Sequence, residues 1–277
     1  MNSQKLTDRL EKLEEQYSGR FSVEVQRLDA EAGFTLRSRD ALPTASTFKL
    51  FVLCEIFRQA EEGTLDLNAP ITWKPEFHRG GDGVLRAMIP GEALSVHNMA
   101  VLMIILSDNI ATATLVDLIG AENVTRTMQS WGLWETDIHQ GIPGGPNAAE
   151  MKQPVSTAHD FCSLLTRIYR GEILTAESCN EIIRILRAQR CNDMLPRFIP
   201  VGEDWGDAET WIANKTGYGA CRVDVGIVKT EEVAYSQAMF FEPHQPPINR
   251  TKCLADYPPV LAMAAGCKAV YDEIGQP

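Results

Sequence analysis

Long apolar segments are absent from this sequence of 277 residues. The longest apolar run is MAVLMIIL, at residues 99–106. A membrane-spanning helix needs about 20 apolar residues, so this run indicates a helix in a protein core and no membrane span. Basic residues are also few, 26 against 37 acidic ones, and the formal charge is -11. The excess of negative charge argues against nucleic acid or an anionic membrane surface as the main partner.

The sequence also lacks an export signal and the usual marks of a metal site. Its first 20 residues contain no apolar signal core, and Leu6, Leu10 and Leu13 recur at helical spacing. The seven cysteines form no CxxC pair, and the histidines show no ligand spacing. We therefore expect a cytoplasmic protein with reduced thiols, no metal and no cofactor. A periplasmic or secreted location stays open, because an exported protein whose signal had been removed would begin in the same way.

Strand patterns occupy both ends of the chain. Residues 21–29 (FSVEVQRLD) and 33–42 (GFTLRSRDAL) largely alternate polar and apolar side chains and are joined by AEA, which predicts an antiparallel hairpin. Three further strand segments, WIANKTGYG, CRVDVGIVKT and VAYSQAMFFE, begin at Trp211 and precede a last apolar helix. The pattern predicts a five-stranded antiparallel sheet flanked by helices.

The middle of the chain has helical patterns. The segments SVHNMAVLMIILS and STAHDFCSLLTRIYRG begin with residues that can cap a helix, and the second ends at a glycine. Two glycine-containing loops, HRGGDG at 78–83 and GIPGGPN at 141–147, interrupt the block. The segment GGDGVL lacks the lysine and threonine of a phosphate-binding loop, and we expect it to form a rim of the site.

These patterns predict an α/β (α+β) protein of two lobes. Residues 1–45 and 205–277 would form the discontinuous lobe that contains the sheet, and residues 46–204 would form an all-helical lobe. No flexible linker separates the two, so the cleft between them is the natural place for a site.

The segment TASTFKLF, residues 44–51, places Ser46 and Lys49 at the start of one of these helices. Residues three apart lie on the same face of a helix, so the lysine amine can reach the serine hydroxyl. A serine becomes a strong nucleophile when a base removes its proton, and lysine is a base only in its neutral form. Read alone, however, the pair fits a helix N-cap followed by a solvated lysine better.

Two polar tripeptides accompany apolar patterns, one at the end of a helix and one inside a strand. SDN, residues 107–109, follows the apolar helix, and taken alone it fits a helix-terminal turn. KTG, residues 215–217, lies inside a strand pattern, where Gly217 indicates close approach of another backbone. Taken alone, Lys215 also fits an edge strand protected by a charge.

The motifs SxxK, SDN and KTG occur together and in this order, which chance seldom produces. With the flanks PTASTFKL and KTGYGACRVDVGIV, they resemble the serine β-lactamase family, which includes class A β-lactamases and penicillin-binding proteins, over nearly the whole chain. The resemblance implies the two-lobed β-lactamase/transpeptidase-like fold and a small-molecule β-lactam or other acyl substrate. The oligomeric state stays open, and we expect a monomer.

The resemblance implies roles for four catalytic residues. Ser46 would attack the carbonyl carbon of the substrate, with Lys49 as the base or as a member of a proton relay. Ser107 would pass a proton to the leaving nitrogen. Lys215 would supply positive charge that weakens the hold of Lys49 on its proton and attracts a substrate carboxylate.

The resemblance also implies a set of substrate-binding residues: Asn109, Thr216, Gly217, Tyr218 and Arg222. Asn109 would bind the side-chain amide of the substrate. The backbone N–H groups of Ser46 and Tyr218 would form the oxyanion hole. Thr216 and Arg222 are candidates to hold a carboxylate, although a surface charge on a strand explains Arg222 nearly as well.

The chain departs from class A enzymes in the loop after SDN. The resemblance implies a water-activating glutamate there, in a run of the form ExxLN near residues 141–143. Residues 133–160, LWETDIHQGIPGGPNAAEMKQPVSTAHD, contain no such run, and the loop is shorter. Glu150, or with less support Glu135 or His139, could take the place of this base, although each also fits an ordinary loop residue.

We therefore expect a β-lactamase-like serine hydrolase that is acylated at Ser46 by a β-lactam or a similar amide or ester and then hydrolysed. Two alternatives stay open: a D,D-peptidase or esterase of another acyl substrate, and a penicillin-binding module without turnover. One general base is worth about 100- to 10,000-fold in rate, so its loss would leave acylation intact and make the acyl-enzyme long-lived.

Overall fold

The computed structural model describes residues 3–77, 81–138, 152–200, 209–245 and 256–274. The helices of this part are α1 (Ser3–Tyr17), α2 (Lys49–Glu61), α3 (Val96–Ile105), α4 (Asn109–Ile119), α5 (Ala121–Ser130), α6 (Ala158–Arg170), α7 (Ala176–Arg187) and α8 (Pro258–Ile274). The strands are β1 (Gly19–Arg27), β2 (Gly33–Leu36), β3 (Leu42–Pro43), β4 (Pro70–Ile71), β5 (Leu94–Ser95), β6 (Val155–Ser156), β7 (Trp211–Tyr218), β8 (Arg222–Lys229) and β9 (Ala234–Pro243).

Five of these strands form one sheet in the order β2-β1-β9-β8-β7, and all neighbours in it are antiparallel. The central pair joins the two ends of the chain, from Gly19 opposite Pro243 to Arg27 opposite Tyr235. Strand β9 is buried over eight consecutive residues, because both faces of the sheet are covered. The five-stranded antiparallel sheet predicted from the sequence is confirmed, and β7, which carries the KTG motif, lies at its edge.

One face of the sheet is covered by the terminal helices α1 and α8. Leu6 and Leu10 of α1 are fully buried in this core. Phe21 of β1 packs against Phe241 of β9 with 4.9 Å between ring centroids. A Cβ added to Gly266 of α8 would lie 2.9 Å from the Met239 sulfur, so α8 lies close against the sheet.

The other face of the sheet shares a core with the middle helices. Phe51 of α2 stacks on Phe161 of α6 at 4.4 Å, and Phe161 contacts Phe240 of β9 at 6.0 Å. This continuous packing joins the helical block to the sheet without a flexible connection. The lobe boundaries at 45/46 and 204/205 stay a prediction.

The helix caps expected from the sequence are present. The Ser95 hydroxyl accepts a hydrogen bond from the Asn98 backbone N–H at the start of α3. Thr157 caps α6 in the same way, and Gly171 ends that helix at φ 66°. Among the described residues, no helix combines the length and apolarity that a membrane crossing requires.

The second predicted strand is shorter than expected. Strand β2 ends at Leu36 instead of continuing to Leu42, because Arg37 adopts φ 49° and its side chain turns back to the Phe21 carbonyl, 2.8 Å away. Residues Leu42–Pro43 pair instead with β6, at the end of the 133–160 loop. This second pairing brings the loop end to the segment that precedes Ser46.

Candidate active site

Ser46 lies in a short 3-10 turn, Ala45–Phe48, that leads directly into α2. The residue before it, Ala45, adopts φ 47°, a conformation that L-residues seldom take. Ser46 does not cap α2, whose N-cap is Phe48, so the simple N-cap explanation of this serine is wrong. The turn places Ser46, a half-buried residue, directly before a helix whose first turn is buried.

Lys49 is completely buried and reaches the SDN motif. Its Nζ donates to the Ser107 carbonyl oxygen at 2.7 Å, and it lies 3.0 Å from Ser107 Oγ and 2.9 Å from Asn109 Oδ1. The explanation of Lys49 as a solvated surface lysine is therefore wrong. Two motifs about 60 residues apart in sequence are joined at one amine.

The three contacts of the Lys49 amine suit a proton relay. An ammonium group would donate all three hydrogen bonds, whereas a neutral amine would donate two and accept the third from the Ser107 hydroxyl. The Lys49–Ser107 pair can therefore hold a proton on either partner while the same contacts persist.

Ser107 is fully buried and adopts φ 53° between α3 and α4. The next residue, Asp108, fixes this turn with both carboxylate oxygens. One accepts the N–H groups of Ile110 and Ala111 and caps α4, and the other accepts those of Val84 and Leu85. Asp108 thus serves to hold the turn, a structural role that the motif alone did not reveal.

Residues 81–85, the described part of GGDGVL, pack against the SDN motif, as expected for a rim of the candidate site. Gly83 adopts φ 113°, and a Cβ there would collide with the Asp108 carboxylate. A Cβ on Gly81 would collide with the side-chain amide of Asn109, and the Asn109 N–H donates to the Asp82 carbonyl at 3.1 Å. The two glycines are needed because the rim lies directly on these side chains.

The KTG motif approaches Ser46 from the edge of the sheet. A Cβ added to Gly217 would lie 2.8 Å from the Thr44 carbonyl oxygen and 3.1 Å from the Ser46 nitrogen. The close backbone approach inferred from this glycine is confirmed. Lys215 is fully buried and donates to the Thr216 carbonyl at 2.8 Å, so the alternative of an exposed protective lysine is wrong.

The sequence of the chain matches the model of the beta-lactamase enzyme family over residues 5–273. The chain belongs to this family. The predicted resemblance and fold class are therefore confirmed.

Individual beta-lactamases are distant relatives of the chain. Beta-lactamase SME-1 of Serratia marcescens and an imipenem-hydrolyzing beta-lactamase of Enterobacter cloacae are each 26% identical to it over 180 residues, which cover 61% of this chain. The chain spans 58% of the length of each of these relatives.

Solved structures show the same fold. A beta-lactamase from Sphaerobacter thermophilus superposes with a TM-score of 0.85 at 22% identity, over 100% of both chains. PBP-A superposes with a TM-score of 0.83 at 23% identity, over 99% of this chain and 97% of its own.

Arg222 of this family member is 1% exposed, so the surface-charge explanation is wrong. Its Nη1 donates to the Gly219 carbonyl at 2.7 Å, and its guanidinium lies 5.8 Å from the Tyr218 ring and 5.3 Å from the Tyr257 ring. Burial lowers the pKa of Arg222 from its usual value. The guanidinium is thus built into the turn that follows β7.

Two acidic residues beside KTG were not found from the sequence. Asp193 accepts a hydrogen bond from the Tyr218 hydroxyl. Burial, together with the neighbouring carboxylate of Asp193, raises the pKa of Tyr218, so the phenol keeps its proton. No sequence motif marks Asp193, because its role depends on how the segment that carries it is placed against Tyr218.

The second is Asp224 of β8, which is fully buried behind KTG. Its carboxylate accepts the Leu195 N–H at 2.9 Å and the Asn214 side-chain amide at 3.0 Å. Burial raises its pKa to about 7, because the two hydrogen bonds only partly offset desolvation. A lone carboxylate in the apolar strand pattern RVDVGIV was the available sequence signal.

The end of the 133–160 loop contacts the segment that precedes Ser46. Asp137 pairs with Val155 through two backbone hydrogen bonds of 3.0 and 2.9 Å, and the Thr44 N–H donates to the Pro154 carbonyl at 3.0 Å. Glu135 lies 3.9 Å from Arg39 and is 39% exposed, as a solvated loop residue would be. The other two candidate bases, Glu150 and His139, lie outside the described residues.

Proposed function

We propose that the protein is a serine hydrolase of the β-lactamase type, acylated at Ser46. The observation that carries this proposal is the buried Lys49 amine, which joins Ser107 and Asn109 one turn after Ser46. The membership of the beta-lactamase enzyme family supports it. So do curated relatives that are beta-lactamases, one of them imipenem-hydrolyzing.

In the proposed acylation, Ser46 Oγ attacks the lactam carbonyl carbon and its proton passes to a neutral Lys49. Lys49 returns a proton through Ser107 Oγ to the lactam nitrogen as the carbon–nitrogen bond breaks. The products are an ester on Ser46 and the opened ring with a protonated nitrogen. Lys215 adds positive charge to this end of the site, and the N–H groups of Ser46 and Tyr218 face the developing oxyanion.

Deacylation requires a water molecule whose proton is removed as it attacks the ester carbonyl, which releases the acid and restores Ser46. The missing ExxLN run favours a second candidate function, a penicillin-binding module that keeps its acyl group. A point mutant of the structural neighbour PBP-A has been captured as an acyl-enzyme with penicillin G, which supports covalent binding as the common step.

The proposal is tested with a chromogenic cephalosporin and with intact-mass analysis after incubation with benzylpenicillin. We expect a Ser46 adduct and steady turnover, both lost in Ser46→Ala. Ser130→Ala is the matched control, since that hydroxyl donates to the Thr127 carbonyl at the end of α5.

Each other outcome has a defined meaning. An adduct that persists for hours without turnover selects the penicillin-binding module. Turnover of p-nitrophenyl esters without lactam turnover selects an esterase or peptidase. Absence of any Ser46 label from lactams and esters would refute acyl transfer at this site.

A further inference from the structure

The turn between β7 and β8 rests directly on the backbone around Ser46. A Cβ added to Gly219 would lie 2.9 Å from the Ala45 Cβ, and one on Gly217 would lie 3.1 Å from the Ser46 nitrogen. Such contacts leave no gap between the two segments. The position of this turn therefore sets the position of the Ser46 backbone N–H.

The Arg222 side chain stabilises this turn by a hydrogen bond to one of its carbonyl groups. Its Nη1 donates to the Gly219 carbonyl at 2.7 Å, and the turn closes with a hydrogen bond from the Gly219 N–H to the Cys221 carbonyl at 3.0 Å. The guanidinium also lies near the rings of Tyr218 and Tyr257. A hydrogen bond to a charged donor is stronger than one between neutral groups, so Arg222 is a strong restraint on the turn.

Asp193 lies on a different segment and stabilises the same turn by accepting a hydrogen bond from the Tyr218 hydroxyl. The segment that carries Asp193 is fixed to the end of α3: the Arg190 N–H donates to the Ile105 carbonyl at 3.1 Å, and the Gln189 side chain donates to the Ile104 carbonyl at 3.1 Å. The SDN motif begins two residues after Ile105. The Asp193–Tyr218 hydrogen bond thus links the strand of KTG to the helix that leads into SDN.

We propose that Asp193 and Arg222 are positioning residues that fix the Tyr218–Gly219 turn against Ser46, and that Arg222 is not the ligand of a substrate carboxylate. The inference rests on the proposed function, since it concerns the acylation of Ser46. The negative charge of Asp193 also acts on Arg222 and opposes attraction of a second carboxylate.

The test compares Arg222→Ala, Asp193→Ala and Tyr218→Phe on two acylating substrates, a carboxylate-bearing cephalosporin and an uncharged p-nitrophenyl ester. Positioning predicts that the acylation rate constant falls about tenfold for both substrates while their dissociation constants stay within about twofold. A rise in the dissociation constant of the cephalosporin alone would show that Arg222 binds the carboxylate, which overturns the proposal.

Two variants separate positioning from general damage to the fold. Asp193→Asn keeps an oxygen that accepts the Tyr218 hydroxyl, so we expect it to restore most of the acylation rate. Arg187→Ala is the matched control, because Arg187 stacks on Trp211 at the far end of β7, 5.2 Å from the ring, and we expect unchanged acylation. Equal losses in all five variants would refute a specific role.

A measurement without substrate distinguishes failure of this inference from failure of the proposed function. The Gly219 and Thr47 N–H groups are hydrogen-bonded in the two apposed turns. We expect their hydrogen exchange to accelerate about tenfold in Arg222→Ala and Asp193→Ala but not in Arg187→Ala. Unchanged exchange would overturn the inference even if Ser46 is acylated, and accelerated exchange would support it even if no lactam reacts.

Discussion

The surroundings of Lys49 and the loop of residues 133–160 are held in place by different kinds of contact. The Lys49 amine is completely buried and contacts Ser107 and Asn109, so the proposed acylating groups are fixed by side-chain hydrogen bonds within the core. The described ends of the loop are held through the backbone, against the segment that precedes Ser46, and Glu135, one of the described carboxylates of the loop, lies toward Arg39. In the proposed reaction, the acylating groups thus belong to the shared core, whereas the base for deacylation is predicted to come from the loop.

Of the changes considered, removal of the buried Lys49 amine should have the largest effect on the rate of acylation. Lys49→Met removes the proposed base and leaves the oxygens of Ser107 and Asn109 without their donor. We expect the acylation rate constant to fall by about 1,000-fold or more, measured by mass spectrometry of the adduct against time. Lys74→Met is the control, since Lys74 pairs with Asp117 on the surface. A variant that acylates within tenfold of the wild-type rate would show that Lys49 is not the base.

Addition of a carboxylate to the loop should change only the rate at which the acyl-enzyme is hydrolysed. Ile142 lies within the stretch where class A enzymes are expected to carry their glutamate. We expect Ile142→Glu to accelerate hydrolysis of the acyl-enzyme by about 100-fold without a change in acylation, measured by decay of the adduct. Ile142→Gln controls for size. An equal gain with glutamine would argue against general-base chemistry.

A methyl group between β7 and Ser46 should slow acylation because it displaces the turn that carries Ser46. Gly217→Ala places a Cβ 2.8 Å from the Thr44 carbonyl oxygen, so the turn that carries Ser46 must shift. We expect acylation to slow by about 10- to 100-fold, measured with the cephalosporin. In the control, Gly171→Ala, the new Cβ strains a turn at φ 66° and lies within 4 Å of no neighbour among the described residues. We expect lower stability with normal acylation. Normal acylation in Gly217→Ala would contradict the close approach.

The buried acid behind KTG should affect stability more than chemistry. The pKa of Asp224 is about 7 in the folded protein and about 4 in an unfolded chain, so the folded state binds its proton more tightly. Its contribution to the free energy of unfolding is therefore lost as the pH rises from about 4 to about 7, by about 1 to 4 kcal/mol. Asp224→Asn should remove this pH dependence, measured by urea unfolding at pH 5 and pH 8. An unchanged difference between the two pH values would refute the assignment to Asp224.

Much of the fold could be predicted because it depends on local periodicity. The first two strands follow from alternation, the last three from strand-like segments after Trp211, and the helices from helical spacing and cap residues. The early end of β2 could not, because it follows from Arg37, whose turn is stabilised by the distant Phe21 carbonyl and by Glu14. A strand end set by a tertiary contact leaves no periodic signal in the sequence.

The candidate site also has residues that could be predicted from the sequence and residues that could not. The residues of SxxK, SDN and KTG could be named from the sequence, because their order and spacing are unusual for residues that only fold a chain. Asp193 and Asp224 could not be assigned roles, because each acts through partners on other segments, Tyr218 for one and Asn214 for the other. The catalytic roles, the monomeric state and the cellular location stay predictions.

The sequence by itself determined which side chains are available for the proposed acyl transfer and which strands and helices carry them, since both depend on neighbours along the chain. Only the tertiary structure decided that Lys49 is buried against Ser107, that Gly217 contacts the Ser46 turn and that Arg222 is buried near two tyrosine rings. Packing of one shared core brings these distant segments together, and the distances that result set what each group can do.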